Sequence, residues 1–353
     1  MTFPVVHADT YKLHGPAFEI WPGGRITPYF ETPQRAEIIL EALRETQWAK
    51  IVTPEEGRAE SLPLLVHAGD YVWFIRNGFD EWLSTNPPLP AGYPPTYYPS
   101  SFPPPRARRK WKGEARLNAA EGYGYYTFDL TAPLMAGTYE AALGSARCAM
   151  TAANLVLDGD PAAYALCRPP GHHAGRDYSG GYCYFNNTAI AARILSARGP
   201  VAVLDIDYHH GNGTQDIFWE DDRVLTISIH CDPRADYPYF VGFADEIGGG
   251  AGTGYNLNIP LPPRTNGAGY LKALDLALDR IHLFDPWVLV IAAGFDTCGG
   301  DPIGKFDLIT ADYAEIARRL HALNRPTVIV QEGGYQLEAL GRNVRAFLEP
   351  FSS

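Results

Sequence analysis

From residue 137 onward the chain repeats one pattern: a short unbroken apolar run, a polar turn, then an amphipathic stretch of helical period. The spacing predicts helices over residues 139–157, 188–197, 271–281 and 311–323, and strands over 164–167, 201–207, 224–229, 287–292 and 327–330. Continuous β-branched runs without apolar–polar alternation belong to strands covered on both faces, which is the signature of a parallel sheet between helical layers. The fold class expected is therefore α/β: a central, mostly parallel sheet flanked by helices on both faces. At 353 residues the chain can form this as one domain.

The strands end in chemistry. The run VAVLDIDYHHGNG (201–213) opens as a buried strand and closes with Asp205, Asp207, His209 and His210. Carboxylates and imidazoles at the end of an apolar run need partners or a metal, and both are ordinary ligands for a zinc-like ion. His172 and His173 follow a second strand, Asp296 a third and Tyr335 a fourth. In open α/β sheets, sites form outside the carboxyl ends of the strands, so these groups are expected to meet. Each motif alone is weak, since a lone His pair is more often a surface turn. Their joint placement carries the argument.

The remaining features bound the function. A net charge of −11 argues against nucleic-acid binding and favours a cationic substrate. Five scattered cysteines without CxxC spacing read as reduced thiols. Residues 1–15 lack a charged leader followed by an apolar core, and no apolar run reaches membrane-span length, so a cytoplasmic location without membrane contact is expected. Helices are predicted over 33–47 and 64–82. A Pro- and aromatic-rich insertion at about residues 84–118 cannot be helical. It is too aromatic for a plain linker, and it is read as an ordered segment that forms a homodimer interface. The Gly-rich stretch 248–254 precedes a strand-like segment and is read as a turn, not a phosphate cradle.

Asp207, His209 and Asp296 make three ligands with one open position, the stoichiometry of a catalytic zinc site. Asp207 and His209, two apart in an extended segment, face the same way. His172 and His173 are candidates for general acid and base, and Tyr335, beside Gly333 and Gly334, can donate to a developing oxyanion. The reaction class is hydrolysis of an amide or similar C–N bond. A binuclear manganese site and a non-catalytic sensor of acetylated molecules are the competing readings.

The motifs RPPGHHA, DIDYHHGNGTQ, GFDT and EGGY resemble the zinc-dependent histone deacetylase and acetylpolyamine amidohydrolase family, of arginase–deacetylase fold, along nearly the whole chain. CRPPGHHAG, GGYCYFNN and the insertion resemble its bacterial acetylpolyamine branch. The resemblance implies one zinc on Asp207, His209 and Asp296, with His173 as general base and acid. His172 would be its companion, oriented by Asp205. Asn212 stands where some relatives have an aspartate, and Tyr335 would polarise the acetyl carbonyl. Gly181, Tyr182, Tyr237 and Ile303 would line a substrate tunnel, Arg35 an internal channel, and a rim aspartate would fall near Gly69 or Asp70. One potassium ion is implied near Asp205, Asp207, His209, Ser228 and Ile229, and a second around Phe218, Asp221, Val224 and Tyr255. The expected substrate is a small acetylated cation such as acetylputrescine, acetylcadaverine or acetylspermidine, its distal ammonium met by Glu121 with Asp129 behind it. A peptide acetyl-lysine deacetylase is the alternative.

Overall fold

The computed structural model describes residues 2–21, 24–56, 59–86, 94–103 and 122–352. Its strands in chain order are β1 (Phe3–Val6), β2 (Phe18–Trp21), β3 (Arg25–Pro28), β4 (Ala49–Val52), β5 (Thr96–Tyr97), β6 (Leu134–Met135), β7 (Ala162–Ala165), β8 (Val201–Asp205), β9 (Val224–Cys231), β10 (Asn256–Leu261), β11 (Val288–Ala293) and β12 (Thr327–Gln331). Eight of them form one sheet in the order β10-β9-β8-β11-β12-β7-β1-β4, every neighbouring pair parallel. Two small antiparallel pairs, β2–β3 and β5–β6, lie outside it.

Side chains of a strand alternate between faces, and the central strands bury both sets. Ala202 and Leu204 of β8 join Leu289 and Ile291 of β11 in one core with Leu274, Ile316 and Phe347. Val201 and Val203 join Val288 and Val290 in a second core with Ala149, Ile190 and Leu195. One core sits under each helical layer. That is why these strands carry no polar face.

From β8 the chain steps outward to β9 and β10, then returns to β11 on the other side of β8. Strand order therefore reverses between β8 and β11, and the loops leaving these two strands diverge there. A crevice at such a reversal is where α/β sheets bind ligands.

Most predicted elements appear with ends shifted by a few residues. The helix expected over 64–82 does not run unbroken: a 3-10 helix, Ala59–Leu65, precedes an α-helix, Gly69–Thr85. The amides of Val66 and His67 close on the Pro63 carbonyl, and the Ala68 amide leaves the helix to donate to Arg176 O at 2.8 Å. Strands β1 and β4, only four residues each, were not anticipated. The described part of the insertion lies on the body of the protein, with Tyr97 stacked on Trp82 and Tyr98 on Phe18. The 248–254 stretch is a turn with a short 3-10 helix, Gly250–Gly252, that leads into β10.

Candidate active site

The residues leaving β8 turn sharply into the helix Asn212–Phe218. In that turn Asp207 and His209, together with Asp296 from beyond β11, bring donor atoms to within 4.8 Å of one another, all three residues buried. His209 Nδ1 stands 3.3 Å from Asp207 Oδ1 and 3.0 Å from Asp296 Oδ2. Backbone amides hold the carboxylates from behind: Gly333 donates to Asp207 Oδ2 at 2.8 Å and Tyr208 to Asp296 Oδ1 at 2.9 Å. Burial and the neighbouring Asp207 charge push the Asp296 carboxyl up to about 7. Two buried carboxylates with oxygens within 4.8 Å are repulsive without a cation between them.

The residues fit a divalent ion. Two oxygen donors and one imidazole suit zinc-like metals, and the space beside them is kept by glycine. A Cβ at Gly333 would fall 2.6 Å from both Asp207 Oδ2 and Asp296 Oδ2, and one at Gly294 would fall 2.0 Å from Asp207 Oδ2.

The paired histidines sit beside this cluster with contrasting partners. His172 Nδ1 donates to Asp205 Oδ2 at 2.9 Å, with Asp207 Oδ1 3.8 Å from its Nε2. Burial disfavours its charge, but Asp207 and Asp205 outweigh that and hold its pKa up at about 10. His173 Nδ1 donates to the neutral Asn212 Oδ1 at 2.7 Å, which leaves Nε2 as an acceptor. Burial, then the charges of His172 and His209, push His173 well below the usual imidazole range. One histidine is held charged and the other neutral.

His172, His173 and His209 floor a cavity of about 230 Å³ whose walls include Gly181, Tyr182, Tyr237, Ile303 and Tyr335. Tyr237 meets the His173 ring edge-on at 5.0 Å, and Tyr182 lies 5.6 Å from Tyr335. Gly181 must be glycine on two counts: its φ is +52°, and a Cβ would lie 2.2 Å from His173 Cδ2. Arg35 is buried, donates to Glu31, Glu332 O and Gly334 O, and lies 4.6 Å over the Tyr335 ring. Burial keeps the Tyr335 phenol well above its ordinary pKa, hence a protonated donor. Cys183 is buried with its thiol also pushed up by burial, so it is no nucleophile.

A family profile described as the histone deacetylase domain matches residues 29–351. The chain belongs to the histone deacetylase family. It is 40% identical to acetylpolyamine amidohydrolase 2 of Pseudomonas aeruginosa over 98% of both chains, and 39% identical to the acetylpolyamine amidohydrolase of Mycoplana ramosa over the same share. The crystal structure of an acetylpolyamine aminohydrolase from Burkholderia pseudomallei superposes with a TM-score of 0.91 at 36% identity, covering 100% of this chain and 99% of that one. A hydrolytic deacetylase is what this family membership makes of the chain.

Other expected positions of this deacetylase are placed as follows. Ser228 pairs with Asp205 across β9 and β8, with Ile229 next along β9. Phe218 ends the helix Asn212–Phe218 and Asp221 follows it, Val224 opens β9, and the Tyr255 carbonyl accepts from the Thr226 amide. Glu121 lies outside the described residues. Asp70 lies in the first turn of the helix Gly69–Thr85 and accepts from the Tyr71 amide and Tyr126 Oη, away from the cavity wall. Asp129 ties the cavity's two sides, accepting from Tyr237 Oη at 2.7 Å and the Gly181 amide at 2.9 Å.

Sequence reasoning missed several groups. Asp236 and Lys305 line the cavity as an ion pair at 2.8 Å. Buried Glu332 accepts from the Gly171 and His172 amides at 2.6 and 3.1 Å and from Thr188 at 2.7 Å, fixing the turn that carries the histidines. The only signal for it was its place in EGGY, where Tyr335 drew the attention.

Proposed function

We propose that this protein removes acetyl groups from acetylated polyamines, with zinc held by Asp207, His209 and Asp296. The observation that carries the reading is the union of that cluster with a charged His172, a neutral His173 and Tyr335 at the floor of a narrow aromatic cavity. The substrate class is supported by acetylpolyamine amidohydrolases that match over 98% of the chain, whereas a histone deacetylase-like amidohydrolase matches over 62%. A slender acetylated alkylamine suits the cavity between Tyr182 and Tyr237.

Bound zinc lowers the pKa of a water and polarises a carbonyl. His173 Nε2 takes a proton from the attacking water as the new C–O bond forms, then delivers it to the amine nitrogen as the C–N bond breaks. Tyr335 donates to the developing oxyanion. His172, kept protonated by Asp205, adds a fixed positive charge. Acetate and a free amine leave. Potassium near Asp205 and Ser228 and around Phe218 and Tyr255, homodimerisation through the insertion, and a reducing cytoplasmic setting for the five free cysteines complete the reading.

The test is steady-state turnover by the zinc-loaded protein on acetylputrescine, acetylcadaverine and N8-acetylspermidine, beside an acetyl-lysine peptide. Acetylpolyamines should be preferred, and a chelator should abolish turnover until zinc is restored. Equal or better peptide turnover overturns the substrate assignment, and chelator-resistant turnover overturns the metal role.

A further inference from the structure

The loop after Asp296 is organised by one carboxylate outside the reacting cluster. Asp301, 7% exposed, accepts the Ile303 and Gly304 amides on Oδ1, both at 3.0 Å. On Oδ2 it accepts the Tyr335 and Gln336 amides, at 2.7 and 2.9 Å. All four donors are backbone groups, drawn from two loops that follow different strands. The first loop presses on the metal cluster's own segment: a Cβ at Gly304 would fall 1.8 Å from the Asp296 carbonyl oxygen. It also carries Ile303 on the cavity wall. The second loop has left β12 and turns at Gly334, whose φ of +122° only glycine tolerates readily. Tyr335 therefore hangs beyond a swivel. Its amide is fixed by Asp301, and its ring is covered by Arg35.

We propose that Asp301 is a positioning residue, setting the distance between the Tyr335 hydroxyl and the Asp296 side of the site. This rests on Tyr335 being the oxyanion donor. Asp301 touches no substrate; it acts through the Tyr335 backbone. A misplacement of about 1 Å in such a donor costs on the order of 100-fold in rate.

Asp301→Asn keeps the shape but offers one acceptor oxygen and turns an NH2 toward backbone N–H groups. Whichever way it sits, one pair of amides loses its partner. The experiment is a double-mutant cycle of D301N and Y335F on acetylcadaverine, with bound zinc and Tm measured for each protein. D301N alone should lower kcat by about 10- to 100-fold and change KM by less than about threefold. In the Y335F background it should cost less than about threefold more, because the donor it positions is gone. Equal losses in both backgrounds, or a rise in KM with kcat unchanged, overturn the proposal. Full activity in Y335F alone instead overturns the reading of Tyr335 on which it rests. Should D301N fail to fold, amide hydrogen exchange on the unaltered protein decides. Protection of the Tyr335 and Gln336 amides comparable to that of β12 supports the clamp, and exchange at open-loop rates overturns it.

Discussion

The choice of a neutral partner for His173 makes a prediction about pH. Asn212 Oδ1 lies 2.7 Å from His173 Nδ1, and a carboxylate built there by N212D would face the imidazolium directly. With charge centres about 4 Å apart and an effective dielectric constant of about 20, the attraction is about 4 kcal/mol, or about three pKa units at most. Water and the neighbouring charges reduce it, and nearby carboxylates raise histidines by about one to three units. His173 starts well below the usual range, through burial and the charges of His172 and His209. As the proposed base, it is needed neutral. As pH falls through its pKa the active fraction falls, so raising that pKa moves the acid limb of kcat/KM to higher pH by the same amount. The assay is kcat/KM on acetylcadaverine from about pH 5 to 9.5 for both proteins. They should converge at the alkaline end and separate on the acid side, N212D losing about tenfold for each further unit. Protonation of the metal ligands is common to both, so the difference between the curves isolates His173. Coincident acid limbs, or an activity ratio flat with pH, would refute the assignment of His173 as the base.

Three other perturbations follow from the same geometry. Gly333→Ala puts a methyl 2.6 Å from two ligand oxygens, so zinc affinity measured against a competing chelator should fall by about 10- to 100-fold; an unchanged affinity would mean the ligands sit elsewhere. Glu19 is fully buried, and burial outweighs the donors around it, Trp21 Nε1 at 2.6 Å among them, to lift its carboxyl from 4.5 to about 7. The folded protein thus keeps a proton that the unfolded chain releases, and stability falls by about 3 kcal/mol as pH rises from about 4.5 to about 7. Glu19→Gln should remove that fall, giving a higher Tm than the parent at pH 8 and the same Tm near pH 4; parallel Tm curves would dispose of the idea. Lys305 puts a half-exposed cation on the wall of a cavity read as taking cations. Lys305→Met should raise kcat/KM for acetylputrescine by about two- to fivefold at low salt, the gain fading as salt screens it. A decrease would show that Lys305 assists binding.

What the sequence made legible follows a physical rule. Asp207 and His209 could be read because their partnership lies within three residues of one extended segment, and Asp296, the His pair and Tyr335 because strand periodicity alone sends them to one edge of the sheet. Elements were legible for the same reason, since β8, β11 and β12 announce themselves by burying both faces. Roles that depend on the backbone of a distant loop left no pattern. Asp301 looks like any turn aspartate until four amides are seen on it, and Asp129, expected behind an ammonium site, binds Tyr237 and Gly181 across about 50 to 100 residues of chain. Arg168, which opens the RPPGHHA motif, pairs with Glu31 and donates to the carbonyls of Tyr11 and His14; the motif marks the residue but not these partners. The break at Ala68 belongs to the same class, because the helix yields there to a hydrogen bond with Arg176, not to a breaker residue. Side chains proposed to do the chemistry are tied to each other by short spacing and strand register, whereas those that hold them in place are tied to backbone, whose sequence is silent. Substitutions at Asp301, Asp129 and Glu332 are therefore where geometry can be lost with every reacting group still present.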